Sequence, residues 1–108
     1  MKYTVKLSPE AVKDIDGIYQ YIAIALNEKE TAVNMINLIE KKILSLDEMP
    51  GRHKVYDNEP WKSRGVHIMP IKKYLVFYVI DENNNSVNVF RVIYGSRSIE
   101  NIIRKSPN

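Results

Sequence analysis

Two arginines near the end of the chain occupy positions where a cation is unusual. Arg91 lies inside the apolar run "VNVFRVIY", and Arg97 follows the glycine that ends this run. An arginine within a strand can pair with a carboxylate of a packed helix, and Asp14 and Asp16 supply such carboxylates. Arg97 precedes a predicted helix, where the helix dipole disfavours a positive charge. We therefore expect Arg91 to brace the sheet and Arg97 to face an anionic partner.

The other candidate residues are cations and aromatic side chains in or beside the last three predicted strands. Such side chains bind phosphate groups, and in an enzyme they stabilise developing negative charge. We predict that the residues that bind the target, or an anion on it, are Arg64, Lys72, Lys73, Tyr94 and Arg97. The alternation of the strand predicts that His67 points away from the helices.

Composition excludes several kinds of chemistry. The 108 residues include no cysteine, so neither disulfides nor thiolate metal sites can form. The four glycines build no phosphate-binding loop, and no metal-ligand spacing occurs. We predict neither a metal nor a cofactor.

Charge is distributed unevenly along the chain. Residues 1–48 hold six Lys/Arg and eight Asp/Glu, which gives −2, whereas residues 49–108 hold ten and five, which gives +5. The second half is therefore a candidate surface for an acidic macromolecule, although surface lysines that only confer solubility would give the same count.

Periodicity predicts an α+β fold in a single domain that spans residues 1–108. "KYTVKL" alternates as a half-buried strand, and Ser8 and Pro9 start a helix well. Amphipathic helices are predicted over residues 9–26 and 28–48, and they form an antiparallel helical hairpin. Three strands then form an antiparallel meander that the first strand joins, and "SIENIIRK" forms a short C-terminal helix. We expect the cations on the sheet face opposite the helical hairpin.

No apolar stretch is long enough to span a membrane, and the N-terminus lacks the apolar core of a signal peptide. The sequence therefore predicts a cytoplasmic protein.

Several segments resemble the RelE/ParE superfamily of bacterial toxins. The end "VNVFRVIYGSRSIENII" is similar to that family's last strand, glycine and basic helix start. The segment "PWKSRGVHIMPIKKYLVFYVIDE" is similar to its middle strands, and "IYQYIA" and "LDEMPG" to its helical hairpin. The similarity covers nearly the whole chain in the same order.

The resemblance implies a cytoplasmic toxin of a type II toxin–antitoxin pair. A cognate antitoxin would neutralise it in a heterodimer or heterotetramer, and operator DNA would be bound only through that antitoxin. Two activities occur in the superfamily. ParE-like members poison DNA gyrase, whereas RelE-like members are metal-independent endoribonucleases that cut mRNA on the ribosome.

The nuclease pattern of the family is incomplete in this sequence. Leu75 stands where the nucleases carry a strand arginine, and His67 and Met69 stand where they carry lysines. Arg97 matches one of their functional arginines, but the tyrosine of their last helix has no counterpart. We therefore favour the ParE-like activity and keep the mRNA interferase as the alternative. If the chain is such a nuclease, the resemblance implies that Arg97 and His67 are its catalytic residues.

Overall fold

Two helices and four strands follow one another in the predicted order. A computed structural model describes residues 2–95. Its elements are β1 (Thr4–Leu7), α1 (Pro9–Gln20), a π-helical turn (Tyr21–Ala25), α2 (Lys29–Leu44), β2 (His67–Ile71), β3 (Tyr74–Asp81) and β4 (Ser86–Tyr94). The predicted C-terminal helix and Arg97 lie outside the described residues. Neither described helix is long and apolar enough to cross a membrane.

The four strands form one mixed sheet in the order β1-β4-β3-β2. Strands β2, β3 and β4 are the predicted antiparallel meander. Strand β1 joins it by pairing parallel to β4, with Thr4 opposite Ser86 and Leu7 opposite Val89. The apolar strand β3 therefore lies inside the sheet, as its composition predicts.

Helix α1 begins directly where β1 ends because Ser8 is well suited to cap it. The Ser8 hydroxyl accepts a hydrogen bond from the Ala11 backbone N–H at 3.1 Å, and Pro9 occupies the first helical position. The same hydroxyl donates to the Phe90 carbonyl at 3.1 Å. One side chain thus starts the helix and ties its first turn to β4.

The helical hairpin covers one face of the sheet. The buried residues of this inner core come from both helices, from the turn after α2 and from three strands: Ala11, Ile18, Ile22, Ala32, Ile39, Ile43, Leu46, Met69, Ile71, Val76, Tyr78, Val87, Val89 and Val92. Burial of apolar side chains at the helical spacing is what holds the hairpin to the sheet.

The opposite face of the sheet is not the free cationic surface that we expected. Trp61 folds over it from the loop before β2, and only 4% of its surface is exposed. A second core forms beneath this loop from Trp61, Val66, Phe77, Phe90 and Ile93. The prediction failed because strand β3 is apolar on both faces, so both faces need a cover.

An extra residue in β4 sets the position of Arg91. Phe77 lies opposite Arg91 but its neighbour Tyr78 lies opposite Val89, so Phe90 is a bulge. The Arg91 side chain makes an ion pair with Asp14 of α1, as predicted, with Nε 2.7 Å from Oδ2. Asp14 Oδ2 also accepts the Val92 backbone N–H at 2.9 Å. Val92 lies beyond the last residue of β4 that pairs with β1. The Asp14 carboxylate therefore supplies the acceptor for its backbone N–H.

Tyr78 gives the fold a pH dependence at alkaline pH. Its ring is fully buried, and its hydroxyl donates to the Pro50 carbonyl. Burial raises the pKa of Tyr78 from 10.0 to about 12, although the charge of Arg52 opposes the shift. The unfolded chain then loses this proton at a lower pH than the folded one, so stability is fully present below pH 10 and falls between about pH 10 and 12.

We expect this loss to be on the order of 2–3 kcal/mol. The measurement is urea unfolding at pH 9, 10, 11 and 12, with Tyr78→Phe as the control that lacks the ionisable group. The difference between the two proteins should shrink as the pH rises through this window. A constant difference would show that Tyr78 ionises alike in both states.

Candidate partner-binding groove

A groove of about 1030 Å³ opens between the helices and one end of the sheet. Its walls are α1 with the π-helical turn, part of α2, the turn between β2 and β3, and the last residues of β4. The lining residues are Lys13, Asp14, Gly17, Ile18, Tyr21, Ile22, Leu26, Thr31, Met35, Lys72, Lys73, Tyr74, Val92, Ile93 and Tyr94. We call this surface the groove.

The floor of the groove is apolar and partly open to solvent. Ile18 and Ile22 are buried beneath it, whereas Tyr21 and Leu26 remain 58% and 50% exposed at its rim. The π-helical turn causes this arrangement in part, because its extra residue rotates the end of the helix relative to α1. An apolar surface left open at a groove indicates a binding site for another molecule.

Three lysines stand at the rim of the groove. Lys13 comes from α1, and Lys72 and Lys73 form the two-residue turn between β2 and β3. All three side chains are exposed, and none makes a salt bridge within residues 2–95. The one carboxylate in the lining, Asp14, is already paired with Arg91. The groove therefore presents positive charge to a partner.

Two tyrosines add hydrogen-bond donors beside these lysines. The Tyr74 and Tyr94 rings pack edge to face with centroids 5.7 Å apart. Burial, and then the nearby Tyr94 and Tyr21, raise the pKa of Tyr74 above its ordinary value. The Tyr74 hydroxyl can donate a hydrogen bond to an acidic group of a partner.

The turn that carries the two lysines is fixed against the end of β4. The Gly95 backbone N–H donates to the Lys73 carbonyl at 2.8 Å. A Cβ atom at position 95 would lie 3.2 Å from that same oxygen, which is tighter than an ordinary contact. Glycine at this position therefore allows the strand end to approach the turn closely.

Gly17 leaves an opening in the wall formed by α1. A Cβ atom built on it would meet nothing within 4 Å, and the residue lines the groove. No element of residues 2–95 packs against the exposed backbone at Gly17. The glycine therefore brings no packing gain within these residues to offset its cost inside a helix, which is about 1 kcal/mol relative to alanine.

His67 lies on the helix-facing side of the sheet, so its predicted direction was wrong. It pairs with Tyr78, which belongs to the inner core, and the two rings stack with centroids 5.1 Å apart. Its Nδ1 lies 2.8 Å from the His53 carbonyl oxygen, which can only accept, so Nδ1 carries a proton. Burial, and then the positive charges of Arg52, His67 and Lys42, lower the pKa of His53.

The predicted nuclease groups that lie within residues 2–95 do not converge on one point. His67 begins β2, and Lys72 follows the end of that strand, so the two backbones are about 16 Å apart at roughly 3.3 Å per residue. His67 and Met69 share the inner face, whereas Leu75 packs in the second core on the opposite face. The sheet therefore separates Leu75 from the other two positions, and the three could not contact one phosphate together.

The five predicted target-binding residues divide into three groups. The structure brings Lys72, Lys73 and Tyr94 together at the groove. Arg64 lies elsewhere, because its guanidinium sits 5.2 Å from the centroid of Trp61 on the other side of the sheet. Arg97 lies outside the described residues. No group of three acidic or histidine side chains within residues 2–95 could hold a metal ion.

Sequence reasoning missed two residues of the groove. Lys13 and Tyr21 flank Gly17 at intervals of four, so they lie on one face of α1. The interval of four is a signal in the sequence, but only the neighbouring β2–β3 turn and the end of β4 make this face of α1 the wall of a groove.

Comparison with known proteins agrees with this architecture. A family model described as the ParE toxin of the type II toxin–antitoxin system parDE matches residues 5–99. Among solved structures, the chromosomal ParDE system from P. aeruginosa matches with a TM-score of 0.70 at 17% identity, over 86% of this chain and 96% of that one. The toxin–antitoxin complex RelBE2 from Mycobacterium tuberculosis matches with a TM-score of 0.61 at 22% identity, over 87% and 99%.

The isolated E. coli RelE toxin matches with a TM-score of 0.54 at 16% identity, over 94% of this chain and 97% of that one. A comparison with curated proteins gives no match. The helical hairpin on a four-stranded sheet thus defines a toxin domain of the RelE/ParE superfamily. Within it, the chain belongs to the family of ParE toxins of type II toxin–antitoxin systems.

Proposed function

We propose that this toxin inhibits growth by poisoning DNA gyrase in the cytoplasm, and that a cognate antitoxin neutralises it. The match to the ParE family supports gyrase as the target. Solved relatives of similar fold include toxin–antitoxin pairs from three sources, which supports an antitoxin as partner.

The observation that carries the choice of target is the separation of the predicted nuclease groups within residues 2–95. A nuclease without a metal must neutralise the phosphate and transfer a proton with side chains that meet at one point. His67 stacks on Tyr78 at the far end of β2 from Lys72 and Lys73. Binding and inhibition of a target need no such convergence.

The direct test is a supercoiling assay with purified gyrase. We expect micromolar toxin to inhibit supercoiling, and the antitoxin to reverse the inhibition when it is added beforehand. Full supercoiling activity at that toxin concentration would rule out gyrase as the target.

An mRNA interferase is the second candidate, and one observation favours it. Lys72 and Lys73 lie beside Tyr74 and Tyr94, so cations and tyrosine hydroxyl groups share one surface. These are the group types that cleavage without a metal would use. Translating ribosomes supplied with the toxin would then yield new mRNA ends at the A site, and intact mRNA would exclude this activity.

The lysines at the groove are proposed to contact the target. We expect the double variant Lys72→Glu/Lys73→Glu to be about tenfold or more weaker in gyrase inhibition, because two attractive charges become repulsive. Lys29→Glu/Lys41→Glu is the matched control, since it reverses the same charge on exposed positions of α2 outside the groove. Equal loss in both variants would assign the effect to net charge and not to the groove.

Variants of two arginines give further tests of the proposal. Arg97→Ala should abolish growth arrest if Arg97 contacts the target. Arg64→Ala should leave growth arrest intact, because Arg64 lies over Trp61 and away from the groove. Full toxicity of the Arg97 variant would remove that residue from the site.

A further inference from the structure

The open backbone of Gly17 lies in the middle of the groove wall. Lys13 and Tyr21 flank it at intervals of four along the helix, and all three residues line the groove. Among residues 2–95, no atom outside the helix's own neighbouring backbone lies within 4 Å of the ideal Cβ position at Gly17, so the space there belongs to the groove and not to the core that these residues form. Glycine destabilises a helix interior, so its presence here indicates a compensating contact with another molecule.

The chemistry of the lining describes what fits the groove. Buried Ile18 and Ile22 and partly exposed Leu26 offer an apolar floor, and the three rim lysines lack a salt-bridge partner within residues 2–95. A nucleic acid would gain little from such a floor. An amphipathic polypeptide segment would bury its apolar side chains on the floor and place carboxylates against the lysines.

Charge also distinguishes between the available polypeptides. Residues 96–108 of this chain carry three cations and one carboxylate, which gives +2, so they match the sign of the rim. A second copy of the chain has a net charge of +3, so its charge as a whole disfavours its approach to the rim. An acidic segment of a different protein is attracted.

We propose that a bulky apolar side chain of an acidic amphipathic segment of the antitoxin packs against Gly17. Gly17 thereby determines which antitoxin the groove binds. This inference rests on the part of the proposed function that gives the toxin an antitoxin, and it is independent of the gyrase target. Close approach at Gly17 lets the partner side chain contact Ile18 and Ile22, which a side chain at position 17 would prevent.

The test uses the full chain and the purified product of the neighbouring gene as the antitoxin. We expect Gly17→Leu to weaken the complex by about 30-fold or more, because the added side chain occupies the space that an anchor residue of the antitoxin would fill. Gly17→Ala adds one methyl group and should weaken it by less than about fivefold. Gln20→Leu adds the same side chain as Gly17→Leu at an exposed position of α1 outside the groove, and it should bind as the wild type does.

Stability measurements separate this role from a structural one. Both Gly17 variants should melt at a higher temperature than the wild type, because the helix gains propensity and the open space at Gly17 leaves no clash within residues 2–95. A variant that is more stable than the wild type but binds the antitoxin less tightly supports a direct contact between Gly17 and the antitoxin. A lower melting temperature with a proportionate loss of binding would overturn it, because Gly17 would then serve the fold.

Three other outcomes also decide the proposal. Binding of Gly17→Leu within about threefold of the wild type would overturn it. It would also be overturned if the neighbouring product formed no complex with the wild type. A wild-type dimer that Gly17→Leu dissociates in sedimentation would show a second copy in the groove, and would overturn it too. If the same preparation fails to inhibit gyrase but shows the Gly17 effect, the target is wrong and the inference stands.

Discussion

Replacement of Asp14 by alanine is expected to lower the free energy of unfolding by about 3 kcal/mol. The carboxylate accepts three hydrogen bonds, two from the Arg91 guanidinium at 2.7 and 3.1 Å and one from the Val92 N–H at 2.9 Å. Both side chains of the pair are less than 20% exposed, so water cannot fully replace the lost acceptor. The variant leaves a mostly buried cation and a backbone donor without their partner.

Urea unfolding followed by circular dichroism measures this change. Asp16→Ala is the matched control, because Asp16 is an exposed carboxylate two residues further along α1, and we expect it to cost less than about 0.5 kcal/mol. A double-mutant cycle with Arg91→Ala gives the coupling between the two side chains. If Asp14→Ala and Asp16→Ala cost the same, the ion pair contributes nothing to stability.

The second large effect concerns the loop that covers the outer face of the sheet. Trp61→Ala should destabilise the fold by about 3–5 kcal/mol, the range for removal of a buried aromatic side chain. The indole is 4% exposed and shares its core with Phe77 and Phe90, whose ring centroids lie 6.3 Å apart. Without it, this core would open to water on one side.

Circular dichroism is again the measurement, since Trp61 is the only tryptophan and its removal abolishes tryptophan fluorescence. Arg64→Ala serves as the control, because it removes the guanidinium above the same ring and leaves the indole in place. An exposed cation–π contact contributes about 0.5–1 kcal/mol, so the control should lie well below the Trp61 variant. Equal effects would mean that the loop, and not the indole, stabilises this face.

These two contacts explain why the groove is the better candidate for binding a partner. The outer face of the sheet is occupied by a loop of the chain itself, and the middle of the inner face is filled by the helical hairpin. At the groove, by contrast, an apolar floor remains open, and the lysines at its rim make no salt bridge with any residue from 2 to 95. Because both proposed partners would use the same lysines, an antitoxin in the groove would compete directly with the target.

The sequence by itself determined the elements and much of their order. The signals for these elements are local, and the structure confirms the elements that they predict. They are the alternation in β1, the capping Ser8-Pro9 pair and the apolar stripes of the two helices. The Arg91–Asp14 pair was also predictable, because a strand arginine beneath a helix needs a carboxylate within reach. The π-helical turn at Tyr21–Ala25 was not, since its hydrogen-bond shift leaves no distinct pattern in the residues.

The tertiary structure alone decided where the functional groups lie. Strand parity placed His67 against Tyr78, and the length of β2 separated it from Lys72 and Lys73. The fold of the loop before β2 carried Arg64 onto Trp61, away from the other cations. A run of residue types gives the period of a strand or helix, but which face is covered and which side chains meet depends on contacts between residues far apart in the chain. For that reason the groove, with Lys13, Gly17 and Tyr21 in its wall, became visible only in three dimensions.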